Sequence, residues 1–318
     1  MSPLRFLPLV FAVLVISLAQ GAEPAKQVPA PAPAPAPAPA AAPVPASAAQ
    51  PASKAEATDF LRFLEDDEAE SDFLQTAIVT YTSPAGVTVD LVGAVHIADK
   101  TYFEELNARF KTYDAVLYEL VGRPMAEREE LKPGDGHGKL QWLGQVQETL
   151  RKTLKLESQL RGIDYGAPNF VHADMSVEGF FEAQDTKQET FLSLWLKAIQ
   201  AQSALPRDRP QPSMLQLMMI LRQEDPSMDL KRMMGEEFDS MEHLITGMEA
   251  NGGTTIIGER NRHALEVMDR EIKAGKKRLA IFYGAAHLPD MEERLLKRGF
   301  VQKKLQWITA WDLPWDEE

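Results

Sequence analysis

The chain is expected to fold as an α/β domain. Its central β-sheet should be mostly parallel or mixed, flanked by helices, and built from two related halves with a helical insertion between them. Three observations predict this. Aliphatic and β-branched runs alternate with segments of helical periodicity over residues 74–121, and again over 259–313. The patterns "GAVH" (93–96) and "GAAH" (284–287) each close one of those aliphatic runs, and an acid, Asp99 or Asp290, follows each histidine three residues later. Between the two parts lies a stretch of different character, rich in leucine and methionine.

Before the domain, Arg5 precedes the apolar run Phe6–Ala19 and then the small residues of "SLAQGA". A positive start, a short apolar core and small residues at the cleavage position describe a secretory signal peptide ending by residue 21. The run is short against the roughly 20 residues of a spanning helix, which favours export to the periplasm or exterior over an uncleaved anchor. Residues 22–55 alternate proline and alanine. Such a segment forms neither helix nor sheet and extends as polyproline II, at about 3.1 Å per residue. It reads either as a tether that holds the domain near the cell envelope or as a disordered leader. The domain then spans 56–318.

Within it, "LQTAIVTYTS" (74–83) and "GVTVDLVGAVH" (86–96) flank the turn "SPAG" and predict a β-hairpin. Tyr102, Phe103, Leu106 and Phe110 fall at helical intervals in 99–113, and "AVLYELV" (115–121) follows as a buried strand. A helix is expected over 144–156, a strand over "RGIDY" (161–165), and a further helix capped by Asp174. The insertion, about 175–250, should hold three helical stretches between Glu189 and Met248. Its methionines (Met214, Met218, Met219, Met228, Met233, Met234, Met241, Met248) suggest core packing over a greasy binding groove. The closing part reads as a helix over 259–275, a strand over 277–287, a proline-opened helix over 289–299 and a strand over 300–313. Trp307, Trp311 and Trp315 fit an edge strand with a stapled tail better than an aromatic sugar or peptide platform.

Charge and composition exclude several function classes. The net charge of −13 argues against nucleic acid and anionic lipid surfaces as partners. The lack of cysteine removes thiol catalysis, cysteine–zinc sites and disulfides. A peptide or small-molecule partner stays open.

In a parallel sheet, ligands bind beyond the carboxyl ends of the strands. His96 and His287 each leave such an end, and Glu119 ends the neighbouring strand, so all three should face one crevice. Two imidazoles and a carboxylate form the ligand set of an open metal site. The same trio can perform general acid–base work without a metal. In "GERN" (258–261), Glu259 and Arg260 should occupy the first turn of a helix entered at Gly258, where arginine can clamp a carboxylate or neutralise an oxyanion. His172 reads as a crevice or cap-loop residue, and His263 as an exposed partner of Glu259. His137 and His243 read as a loop and a helix surface, and the polar stretch 122–138 as a candidate lid.

The two GxxH motifs, the "YE" at 118–119 and the "GERN" helix start resemble the TraB/PrgY–GumN family, which is related to the Tiki metalloproteases. The resemblance covers roughly 75–310. It implies two related halves and metal-dependent peptide hydrolysis that requires His96 and His287. Glu119, Glu259 and Arg260 fall on family-motif positions. The resulting expectation is an exported hydrolase of a peptide or ester bond. A divalent ion (Mn, Co, Zn or Fe) would be held by His96, His287 and Glu119, with Glu259 as general base and Arg260 at the oxyanion. The alternatives are a metal-independent histidine hydrolase and a non-catalytic protein that sequesters a peptide, signal or haem-like ligand.

Overall fold

Within the seven-stranded sheet, β2 (Ser71–Thr82) alone runs against the rest. In this computed structural model, residues 58–122, 124, 148–189, 193, 197, 214–250 and 254–315 are described. The signal peptide, the Pro/Ala segment, most of the 122–138 lid, His137 and the side chains of Met214, Met241, His243 and Met248 lie outside those residues. So does most of the first helical stretch expected after Glu189.

One edge of β2 pairs along its whole length with β9 (Val301–Pro314). The other edge is shared. β1 (Leu61–Asp66) takes Ser71–Thr76, and β3 (Thr88–Ala94) takes Ile78–Thr82 as the expected hairpin. From β3 the sheet continues in parallel through β8 (Arg278–Gly284), β5 (Ala115–Tyr118) and β7 (Phe170–His172). A separate two-residue ladder joins β4 (Ile97–Ala98) to β6 (Glu157–Ser158).

Each half makes one crossover between strands of the same direction. β3 leads through α1 (Lys100–Phe110) to β5, and β8 leads through a single 3-10 turn (Ala285–His287) and a second crossover helix (Leu288–Lys297) to β9. α1 buries Tyr102, Phe103, Leu106 and Phe110, the four residues whose spacing predicts it. The second helix, opened by Pro289, buries Leu288, Met291 and Leu295. Thr76 meets Tyr102 of α1 at 3.0 Å, whereas the Tyr81 hydroxyl donates to Glu292 of the other helix at 2.6 Å. An odd spacing along one strand puts two side chains on opposite faces, so the helices cover the two sides of the sheet.

Two expected elements are placed differently. Residues 161–165 are not a strand: Gln159–Gly162 form one helical turn, α2, and the strand that pairs with β5 is β7. Asn107 of α1 takes the polar groups that a strand there would need, since its amide donates to the Gly162 carbonyl (2.7 Å) and its oxygen accepts from Asp164 N–H (3.0 Å). The next helix, α3, runs Val177–Thr186 and is capped by Ser176, whose Oγ accepts from Gly179 N–H at 3.0 Å. Asp174 is not its cap.

The insertion continues with α4 (Met214–Ile220) and α5 (Ser227–Ala250). Met233 and Met234 join the core, but Met218 and Met219 are 48% and 62% exposed, so only part of the methionine stripe is packing. At the C-terminus, Trp311 is fully buried and donates to the Ile97 carbonyl (2.8 Å), while Trp315 donates to Asp72 (2.9 Å) and Arg62 stacks over Trp307. That is the stapled edge strand. Among the described residues no helix is long and apolar enough to cross a membrane.

Candidate active site at the strand ends

The four parallel strands end side by side. Ala94 of β3 is in register with Gly284 of β8, and Tyr118 of β5 lies between Phe282 of β8 and His172 of β7. The residues that follow, His96, His287, Glu119 and Asp174, therefore emerge at one end of the sheet.

The centre of this group is Arg260, whose side chain is fully buried. Its Nε and Nη2 donate to the two oxygens of Asp174 at 3.0 and 2.6 Å, and Nη2 also donates to Glu119 Oε1 at 2.6 Å. Nη1 faces the Ile256 carbonyl and His287 Nε2, each at 3.4 Å. The backbone explains this depth. A π-helical turn, Thr255–Glu259, capped by the Thr254 hydroxyl, precedes the α-helix Arg260–Lys273. The helical path thus begins before Gly258, and Arg260 is a buried hub instead of an exposed first-turn residue. π-turns of this kind recur at functional sites.

Two carboxylates surround one guanidinium, and the titration of Glu119 reflects it. Burial is the largest single influence on the Glu119 pKa and would raise it, but the surrounding positive groups together outweigh it, the charge of Arg260 foremost. With help from His287, His96 and the Gly284 N–H, that charge holds the carboxyl well below the usual carboxylate range. Burial would likewise weaken Arg260 as a base, yet Asp174 and Glu119 raise its pKa further.

His287 is 4% exposed, and both of its ring nitrogens are engaged. Nδ1 lies 2.7 Å from Asn261 Oδ1, and Nε2 lies 3.4 Å from Arg260 Nη1 and 3.6 Å from Glu119 Oε1. Burial pushes its pKa down to about 4 against the pull of Glu119. Asn261 is itself fixed, because its amide donates to the His287 carbonyl (2.9 Å) and to Asp290 (2.8 Å). The motif's glycine sits at a close approach. Gly284 N–H donates to Glu119 Oε2 at 2.7 Å, and a Cβ there would lie 3.3 Å from that oxygen.

His96 is only half-buried. Its Nδ1 lies 3.2 Å from Gln159 Oε1, and its carbonyl accepts from Gln159 N–H at 2.8 Å. Burial lowers its pKa, opposed by Glu119 and by the bond to Gln159. Glu119 and Arg260 therefore both act on the two histidines, in opposite directions.

The remaining candidates lie outside this group. Glu259 turns toward Lys187 (3.1 Å) and Arg262 (2.9 Å), which hold its pKa down although burial would raise it. It is not placed as a base for the cluster, and its partners are these two cations instead of His263. His263 is half-buried, and burial lowers its pKa, partly offset by Asp174. His172 donates from Nε2 to the Leu120 carbonyl at 2.6 Å and packs edge-on to Tyr118. Asp99 binds Lys231 (3.2 Å) and Asp312 N–H (2.8 Å), tying the His96 loop to α5 and β9.

As arranged, these donors do not fit a divalent ion held jointly by His96, His287 and Glu119. The Arg260 guanidinium sits on Glu119 Oε1 and beside His287 Nε2, so a shared cation would be pressed against a positive charge. Among the described residues, no group of three or more His, Asp or Glu is disposed to hold a metal.

Three contributors escape the sequence reading. Asn261 stands in the "GERN" stretch itself and so carried a signal. Asp174 looked like a helix cap. Gln159 carried none. Comparison with protein-family models, curated proteins and solved structures finds no match for the chain.

Proposed function

We propose that this chain is an exported hydrolase of a peptide or ester bond, a TraB/PrgY–GumN-like protein in which His96 is the general base. The observation that supports this most is the position of His96. It is a half-buried imidazole with a lowered pKa at the open end of four parallel strands, beside a rigid buried charge cluster. A neutral imidazole takes the proton of a water as the water oxygen bonds to the substrate carbonyl carbon. It then returns that proton to the departing nitrogen or oxygen as the bond to carbon breaks. Arg260, Glu119, Asp174 and His287 fix the strand ends around this base and set its electrostatics. Arg260 is too fully engaged to leave its carboxylates for an oxyanion. Export rests on Arg5, the apolar run Phe6–Ala19 and the small residues after it.

The test is turnover of an ester and peptide library by the purified chain, with and without exhaustive chelation. Activity should survive chelation and fall about 100-fold or more in His96→Ala. Activity abolished by chelation and restored by one divalent ion would support the metal-dependent form, which requires the Arg260 guanidinium to leave Glu119. Tight ligand retention without turnover would make the chain a binding protein.

A further inference from the structure

Both GxxH histidines are gripped at the same ring nitrogen by a carboxamide oxygen from another element. For His287 it is Asn261 Oδ1 at 2.7 Å, and for His96 it is Gln159 Oε1 at 3.2 Å. An amide oxygen only accepts, so each Nδ1 carries the proton and each Nε2 carries the lone pair. The Asn261 orientation is set by its amide, which must donate to two acceptors, the His287 carbonyl and Asp290. Gln159 is 4% exposed, donates from Nε2 to the Tyr165 hydroxyl at 2.9 Å, and uses its own backbone N–H to hold the His96 carbonyl. It therefore grips His96 through backbone and side chain at once.

We infer that Gln159 is a positioning residue that locks the His96 ring as its Nδ1–H tautomer, the form in which Nε2 carries the lone pair that base catalysis uses. A carboxylate at this place would orient the ring equally well, but it would also favour the imidazolium. The neutral amide orients without adding charge. Asn261 does the same for His287, whose Nε2 faces Arg260 Nη1 at 3.4 Å. Gln159 supports the ring that remains half-exposed. Its significance for catalysis rests on the hydrolase reading above; the tautomer itself does not.

The experiment is nitrogen-15 NMR of the histidine rings in the full chain, with the His96 signals assigned by loss in His96→Ala. Wild type should show the Nδ1–H pattern at His96. Gln159→Leu should shift it toward the Nε2–H form or a mixture, and Gln159→Glu, which keeps an acceptor, should retain it. In parallel, kcat should drop about tenfold or more in Gln159→Leu with KM little changed, and should partly recover in Gln159→Glu. An Nε2–H ring in wild type, or a pattern that Gln159→Leu leaves unmoved, overturns the inference. If Gln159→Leu fails to fold, the wild-type tautomer and the Gln159→Glu comparison still decide it. Absence of hydrolysis together with the expected tautomer would sink the hydrolase reading and leave this one standing.

Discussion

"GAVH" and "GAAH" share three of four residues and the same place at the end of a parallel strand, yet they build different things. "GAAH" leaves β8 and is closed in by Arg260 and Asn261 of the helix Arg260–Lys273. Its histidine is buried with both nitrogens bonded, its glycine N–H holds Glu119, and its trailing Asp290 fixes Asn261. "GAVH" leaves the neighbouring strand. Its histidine stays half-exposed, and its trailing Asp99 turns away to α5 and β9. Nearly identical local sequence thus yields a buried corner in one half and a half-buried histidine in the other. The difference comes from what the surrounding elements deliver, Arg260 and Asn261 of the helix Arg260–Lys273 at one motif and Gln159 of α2 at the other.

The largest expected effect lies in the buried corner. Arg260→Met leaves Glu119 and Asp174 facing each other without a cation, and should cost about 3–5 kcal/mol in denaturant unfolding. A loss below about 1 kcal/mol would show that the cluster is not the keystone of the corner.

Acid should act mainly through the same corner. An unfolded histidine titrates near pH 6.5, whereas His287 in the fold titrates at about 4. The unfolded chain binds more protons between those values, so stability is full above about pH 6.5 and declines as pH falls toward 4, by at most roughly 3 kcal/mol. Unfolding curves across that window should flatten in His287→Ala. His96→Ala should keep the His287 part of the slope, and an unchanged slope in His287→Ala would contradict the assignment.

A smaller effect separates the two glycines. A Cβ on Gly93 would lie 3.2 and 3.3 Å from the Phe60 and Ala77 carbonyl oxygens, whereas one on Gly284 meets a single side-chain oxygen, that of Glu119, at 3.3 Å. Gly93→Ala should therefore cost about 1–3 kcal/mol, with Gly284→Ala costing less in stability while loosening Glu119. The reverse order would undo this distinction.

The alternation of strands and helices was legible because burial imposes its periods on the sequence, as with Tyr102, Phe103, Leu106 and Phe110 in α1. The convergence of the strand ends was legible too, since parallel sheets expose their carboxyl ends together. What was not legible depends on distant partners. Asp174 before a helix has the local signature of a cap, and only the arrival of Arg260 from eighty-six residues away reassigns it. The π-turn that sinks Arg260 follows from packing around Thr255–Glu259 and leaves no periodic trace. Gln159 acquires a role only because β4 pairs with β6 and brings it beneath His96.

The asymmetry of the two motifs is tested most directly by comparing His96→Ala and His287→Ala for stability and for turnover of a hydrolysable substrate. His96→Ala should unfold within about 1 kcal/mol of wild type and lose turnover about 100-fold or more. His287→Ala should lose about 2–4 kcal/mol of stability, because it leaves a cavity and strands Asn261 and Arg260. Equal stability in the two variants with equal loss of turnover would contradict the account and make the histidines equivalent partners in one shared site.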